Sequence, residues 1–153
     1  MFGIYESPLG IITFEIQHGK LVSMMIDKLD VTEEMHPDVI EIKRQLDLYF
    51  KHELQSFNIP ISYNRGTTFQ QAVWNRLCAI PYGKTKSYQD IAYEINRPKA
   101  VRAVGQACKR NPIGIVVPCH RVIGKDGSMT GYSGKDYIDL KIKLLELEKD
   151  NLK

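Results

Sequence analysis

The sequence predicts an α+β protein in two parts: a small antiparallel β-meander with one helix over residues 1–64, and a mainly helical part over residues 65–153. Three observations carry the prediction. Strand-like runs separated by turn residues fill the first 26 positions. From Thr68 onward, apolar residues recur at helical spacing behind capping signals. Charge also changes sign between the parts. Up to Asn64, five Lys/Arg face ten Asp/Glu, a net of −5; beyond it, 16 Lys/Arg face eight Asp/Glu, a net of +8.

In the first part, Phe2–Glu6 and Ile11–Ile16 flank the turn Ser7-Pro8-Leu9-Gly10, and His18-Gly19 leads into Leu21–Ile26. Three strands in a meander follow. Asp27–Pro37 reads as a polar loop. Val39, Ile42, Leu46 and Tyr49 then lie on one helical face. Ile59-Pro60-Ile61 reads as a short extended segment. His18, His36 and His52 are scattered, as surface residues are.

The second part opens on a helix in which Thr68 caps and Gln71 completes a capping box, with Phe69, Val73, Leu77 and Ile80 inward. Pro81-Tyr82-Gly83-Lys84 ends it. Ser87 and Asp90 form a second capping box, opening a short helix with Ile91, Ala92 and Ile95 inward. Asn96-Arg97 turns the chain, and Pro98 suits the first position of a third helix reaching about Lys109. That helix sets Val101, Val104 and Cys108 against Lys99, Arg102, Gln106 and Lys109 on the opposite face. Ala100, Ala103, Gly105 and Ala107 are small enough for another backbone or a ligand to come close. Two short helices, the second basic outside, describe a helix-turn-helix; a plain helical hairpin with a solvated face is the other reading. Asn111-Pro112 stops the helix, and Ile113–Val117 reads as a buried extended run. Val122-Ile123, the Asp126-Gly127 turn and Met129 read as a β-hairpin, a winged arrangement. A last helix spans about Asp136–Lys149.

Several function classes fall away. The first residues lack the basic and apolar regions of a signal peptide, and no apolar run approaches the roughly 20 residues that span a bilayer; a cytoplasmic protein with no membrane partner is expected. Cys78, Cys108 and Cys119 are odd in number and without C-x-x-C spacing, against a disulfide framework or zinc knuckle. The basic second part suits a polyanion such as nucleic acid, although ordinary surface variation also yields such a step.

Reactive residues are densest at Pro118-Cys119-His120-Arg121. A thiol is a nucleophile as thiolate, and an adjacent imidazole and cations lower its pKa from about 8.5. Sequence neighbours often point apart, and a structural cysteine is the commoner case. Glu148 falls inside the apolar arc of the last helix, with Ile138, Ile142, Leu144 and Leu145. A carboxylate there needs a partner. A histidine would complete a nucleophile–base–orienter relay; otherwise the residue rotates into solvent at a fraying helix end.

Pro118-Cys119-His120-Arg121-Val122-Ile123 resembles the active-site signature of the O6-alkylguanine-DNA alkyltransferases, also called methylated-DNA–protein-cysteine methyltransferases. Further matches run collinearly through Phe69-Gln70, Val73-Trp74, Ile80-Pro81-Tyr82-Gly83, Ser87-Tyr88, Ile91-Ala92, Arg102-Ala103-Val104-Gly105, Asn111-Pro112, Gly131-Tyr132-Ser133-Gly134, and Lys141 with Leu144-Leu145 and Glu148. The first part resembles the family chiefly at Ser7-Pro8-Leu9-Gly10. The resemblance implies a ribonuclease-H-like first domain and a winged helix-turn-helix second domain. It implies irreversible, single-turnover transfer of an alkyl group to Cys119 from O6-alkylguanine, with O4-alkylthymine as a second candidate substrate. It also implies site roles. His120 is the base, through a water, and Glu148 orients it. Asn111 holds the active-site turn against the recognition helix. Tyr88 bonds the flipped base and neutralises charge as guanine leaves. The backbone at Cys119 and Val122, with Ser133, reads the guanine edges. Arg102 fills the gap left by the extruded nucleotide. Ala103 and Ala107 permit close approach to the minor groove of double-stranded DNA, with Lys99, Gln106 and Lys109 beside them. The expected protein is a monomer without cofactor. Some relatives hold zinc in the first domain; no cysteine lies there in this chain, so no metal is expected. Lys135 replaces the family's usual second glycine, and about two extra residues precede Lys141, which alters the substrate loop. Three rivals are a non-catalytic alkyl-lesion binder, which lacks the nucleophile, a winged-helix regulator, which leaves Cys119 and Glu148 without purpose, and a cysteine hydrolase, which turns over without DNA.

Overall fold

Alternation of Ile12, Phe14 and Ile16 puts one face of the central strand of a three-stranded sheet into a core. The computed structural model describes residues 1–27, 29–126 and 134–151. Its contacts divide into two units, Met1–Asn64 with Pro112–Val116, and Arg65–Asn111 with Val117–Lys153.

In the first unit, β1 (Phe2–Ser7), β2 (Gly10–Gln17) and β3 (Lys20–Ile26) form an antiparallel sheet in that order. His18 and Gly19, with φ of 53° and 76°, supply the left-handed two-residue turn that suits a twisted hairpin. Gly3 pairs with Phe14, and a Cβ on Gly3 would stand 2.2 Å from the Phe14 ring. Helix α1 (Pro37–Phe50) is capped by His36, whose Nδ1 accepts from the Asp38 N–H at 3.1 Å. It buries Val39, Ile42, Leu46 and Tyr49. The outer edge of β3 is covered twice: Leu21 exchanges backbone bonds with Pro60 and Ser62, and Met24 with Pro112 and Gly114. This closes an edge that would otherwise template pairing with another chain.

The run 113–117 is buried but not extended. Ile115 has φ of 70°, and the Val116 and Cys119 N–H groups bond back two residues, to Gly114 and Val117. An apolar run reports burial without fixing the backbone.

The second unit begins with α2 (Thr68–Leu77), which buries Val73, Trp74 and Leu77. Its capping box is Thr67–Gln70, one residue before the pair expected from sequence. Thr and Gln are both doubled here, so spacing alone allows two registers. Close approach of the Trp74 ring to Gly66, 2.5 Å from a Cβ built there, goes with the earlier one. β4 (Lys86–Ser87) leads straight into α3 (Tyr88–Glu94), capped by the Ser87–Asp90 box. Asn96 turns the chain at φ 61°. α4 (Val101–Lys109) starts three residues after Pro98, because the Ala100 N–H closes a turn onto the Arg97 carbonyl at 2.9 Å. Lys99 therefore sits in that turn rather than on the helix. The proline's fixed φ suits a turn as well as a helix start.

A single 3₁₀ turn, Cys119–Arg121, runs into β5 (Val122–Ile123), which pairs in parallel with β4. The expected hairpin partner of Val122-Ile123 falls in 127–133, outside the described residues; β4 is the partner described. α5 (Gly134–Asn151) closes the unit, with Lys135 in its first turn. Among the described residues, no helix is long and apolar enough to cross a membrane. The α+β class agrees with the sequence expectation.

Candidate active site

Two short strands bring the chemistry together. β5 follows the turn that carries Cys119, and β4 precedes Tyr88, so their pairing ties the start of α3 to that turn. Cys119 is a buried thiol that takes part in no disulfide. Asn111, just past α4, donates through Nδ2 to the Val117 carbonyl at 2.8 Å, and the same carbonyl accepts the Cys119 N–H at 2.8 Å. One side-chain amide thus holds the approach to the cysteine.

Behind the turn lies a buried charged network. Glu148 and His120 are fully buried, and His120 Nε2 meets Glu148 Oε2 at 2.7 Å. Arg121 donates to both carboxylate oxygens, from Nε at 2.9 Å and from Nη2 at 3.0 Å, and from Nη1 to the Ile80 carbonyl at 2.8 Å. The Gly83 N–H donates to Glu148 Oε1 at 3.0 Å. Burial alone would push the Glu148 carboxyl up; His120 and Arg121 overcome it and hold the group well below the usual carboxylate range. For His120, burial outweighs the raising influence of Glu148, and Arg121 and Lys141 add to the lowering. The imidazole is therefore neutral near pH 7. An ionised carboxylate only accepts, so the hydrogen belongs on Nε2 and the lone pair on Nδ1. Nδ1 is buried and has no hydrogen-bond partner among the described residues. Such a nitrogen is chemically a base held in one tautomer.

A second buried cation completes the site. Lys141, fully buried on α5, donates from Nζ to the Tyr88 hydroxyl at 2.9 Å and lies 5.3 Å from the centre of its ring. Burial pulls the Lys141 ammonium down to about 8, while Cys119 and Cys108 pull the other way. The Cys108 thiol is buried and pushed well above the usual range, by burial first and by Cys119 next.

The outer face of α4 is different in kind. Arg102, Ala103, Gln106 and Lys109 are exposed, as is Lys99 before the helix. Val104 and Cys108 face inward with Ala107. Ala107 is thus a core residue, its carbonyl accepting from Trp74 Nε1 at 2.8 Å, and is not available for close approach. Val122 is buried in β5. Ser133 and the rest of the substrate loop over 127–133 lie outside the described residues. No group of three or more His, Cys, Asp or Glu suited to a metal occurs among the described residues.

Sequence reasoning brought Cys119, His120 and Glu148 to one place but cast Arg121 only as a cation near the thiol; its guanidinium belongs to Glu148. It passed over Lys141 as a site residue. The signal was present: Lys141, Leu144, Leu145 and Glu148 stand at i, i+3, i+4 and i+7, so a lysine shares the buried stripe with the glutamate.

The fold and these residues define an α+β protein organised around a buried cysteine with a His–Glu–Arg network behind it. Residues 68–150 match the model of the 6-O-methylguanine DNA methyltransferase DNA-binding domain. A methylated-DNA–protein-cysteine methyltransferase of Methanosarcina barkeri is 44% identical over 159 residues, covering 99% of each chain. The crystal structure of the Mycobacterium tuberculosis O6-methylguanine methyltransferase superposes with a TM-score of 0.84 at 42% identity, covering 99% of this chain and 94% of that one. The same enzyme in complex with DNA gives 0.84 at 41% identity over 98% and 93%. The chain belongs to the O6-methylguanine-DNA methyltransferase family.

Proposed function

We propose that this protein repairs DNA by direct reversal, moving the alkyl group of O6-alkylguanine irreversibly onto its own Cys119. The observation that carries the reading is the conjunction of a buried thiol outside any disulfide with a neighbouring histidine fixed in one tautomer by Glu148, in a chain of this family. In this mechanism His120 Nδ1 takes the thiol proton through a water. The thiolate attacks the alkyl carbon in line, and the C–O6 bond breaks with its electron pair passing to the guanine. Tyr88 gives that base a proton. The product is a thioether, and no group in the site reverses it, so each molecule reacts once.

The target carbon lies within a base stack, and the nucleotide must be extruded first. In our reading the second unit is a winged helix-turn-helix in which α4 is the recognition helix, entering the minor groove of double-stranded DNA. Arg102 fills the vacated stack, Ala103 permits close approach, and Lys99, Gln106 and Lys109 meet the backbone. Asn111 holds the cysteine turn, and the backbone at Cys119 and Val122, with Ser133, reads the guanine. The first unit is ribonuclease-H-like, and the protein is a cytoplasmic monomer that needs no cofactor.

Intact-mass measurement after incubation with O6-methylguanine duplex tests this. The expected result is a gain of one methyl group per molecule, mapped to Cys119. Cys119→Ser should bind the same DNA and gain none, since a hydroxyl is a far weaker nucleophile of nearly the same shape. Binding without any mass gain by the unaltered protein would turn the reading into that of a lesion binder; repeated turnover would make it a hydrolase.

A further inference from the structure

The mechanism above makes no use of the turn between α2 and β4. The Lys84 N–H closes that turn onto the Pro81 carbonyl at 3.1 Å, and Gly83, at its third position, takes φ of 74°. A four-residue turn with a left-handed third position favours glycine, which has no Cβ to strain there. Since Lys84 makes the closing bond, the Gly83 N–H is directed elsewhere. It donates to Glu148 Oε1 at 3.0 Å, across 65 positions of chain. Arg121 grips the same segment twice more, from Nη1 to the Ile80 carbonyl at 2.8 Å and with its guanidinium 5.7 Å from the centre of the Tyr82 ring.

An ionised carboxylate offers about four lone-pair positions. On Glu148, Oε2 meets His120 Nε2 and accepts from Arg121 Nη2, while Oε1 accepts from Arg121 Nε and from the Gly83 N–H. The glycine amide thus supplies the fourth donor to a fully buried carboxylate. Without it, Oε1 would keep a lone pair buried and unmet, which is costly. Turning the carboxylate to recover a donor would take Oε2 off His120. We infer that Gly83 is a positioning residue for the base: its amide fixes the Glu148 carboxylate so that Oε2 holds His120 in the tautomer with its lone pair on Nδ1. This rests on the alkyl-transfer reading. In that step the thiol proton passes through a water to Nδ1, the Cys119 Sγ–carbon bond forms and the carbon–O6 bond breaks. The electron pair leaves with the guanine, which takes the Tyr88 proton, and solvent later carries the proton on His120 back to Tyr88. Gly83 gives up no atom and touches no substrate; it acts through Glu148.

The test follows two reactions of the intact protein: methyl transfer from O6-methylguanine duplex, and alkylation of Cys119 by iodoacetamide across pH. Peptide mass mapping counts the exposed Cys78 apart. Gly83→Val places a β-branched residue where φ is left-handed and should pull the amide off Glu148. Methyl transfer should slow by about 10-fold, the scale of one hydrogen bond to a charged group. The pH midpoint for Cys119 alkylation should move to higher pH, in the same direction as in Glu148→Gln, because a less well held imidazole is a weaker base for the thiol. In a Glu148→Gln background the valine should add little, since the charged acceptor is already gone. Gly83→Asn, which tolerates the left-handed region and keeps the N–H, should recover most of the rate. An unmoved midpoint, losses that simply multiply in the double variant, or an asparagine variant no faster than the valine one would each overturn the inference and leave the turn a structural role. Should Gly83→Val not fold, Gly83→Ala serves in the same comparisons. Failure of the unaltered protein to gain any methyl group is a different result: it sinks the alkyl-transfer reading, while the iodoacetamide profile still reports whether Gly83 acts on His120.

Discussion

The interior of the second unit and the outer face of α4 both carry arginine and lysine, and they use them in opposite ways. Inside, Arg121 and Lys141 are tied to named partners: a carboxylate gripped on both oxygens in one case, a phenol oxygen in the other. Outside, Arg102 and Lys109 stand in solvent with no ion pair among the described residues. Water screens the outer charges and withholds itself from the inner ones. The inner set should therefore govern stability and chemistry, and the outer set association with a polyanion.

Removing an inner charge is the strongest way to sharpen this contrast. Glu148→Gln leaves the Arg121 guanidinium buried beside a neutral amide and removes the group that fixes the His120 tautomer. Breaking a buried pair in this manner costs about 3–5 kcal/mol, read as a lower urea midpoint, with slower methyl transfer alongside. A variant as stable and as fast as the parent would mean that the network is neither structural nor catalytic.

Acid should loosen the interior more gradually. Glu148 and His120 both have folded-state pKa values below their ordinary ones, so the unfolded chain binds more protons as pH falls. Their contribution is complete above about pH 6.5, the ordinary histidine value, and shrinks below it, first through His120 and then, below the ordinary carboxylate range, through Glu148. The limiting slope is about 1.4 kcal/mol per pH unit for each group. Urea midpoints across pH 7 to 4 check this. Glu148→Gln should flatten the acid limb; an identical pH profile in that variant would place the titrating group elsewhere.

On the outer face, Arg102→Ala should change stability by no more than about 0.5 kcal/mol and yet slow repair within duplex DNA, where filling the vacated stack offsets the few kcal/mol of extrusion. Reaction with the free alkylated base, which needs no flipping, should stay near the parent rate. Equal loss on both substrates would move Arg102 into the inner group. The smallest effect belongs to Lys109→Glu. It should leave melting unchanged and reduce the salt dependence of binding to undamaged duplex, lowering the log–log slope by about one. An unaltered slope would remove Lys109 from the DNA face.

Several elements were legible without coordinates because local rules govern them. The meander follows from alternating residues and left-handed turns, and α1 from Val39, Ile42, Leu46 and Tyr49 at helical spacing. The Ser87–Asp90 box is purely local and was readable. Misreadings arose where local signals were degenerate. Doubled Thr and Gln allowed two registers for the α2 cap. Pro98 fits a turn as well as a helix start. An apolar run over 113–117 said nothing about a backbone that turns at Ile115.

For the site, the sequence by itself determined which residue types stand where: a cysteine followed by a histidine and an arginine, a tyrosine opening a capped helix, and a glutamate on an apolar stripe. It also marked which face of α4 carries the charge. Only the tertiary structure decided that Arg121 belongs to Glu148, that the His120 tautomer leaves its lone pair on Nδ1, and that Lys141 reaches Tyr88 across 53 positions of chain. Spacing reports the direction of a side chain from its own helix or strand. Which group it meets depends on how separate elements pack, and for a buried charge that meeting sets both its protonation and its use.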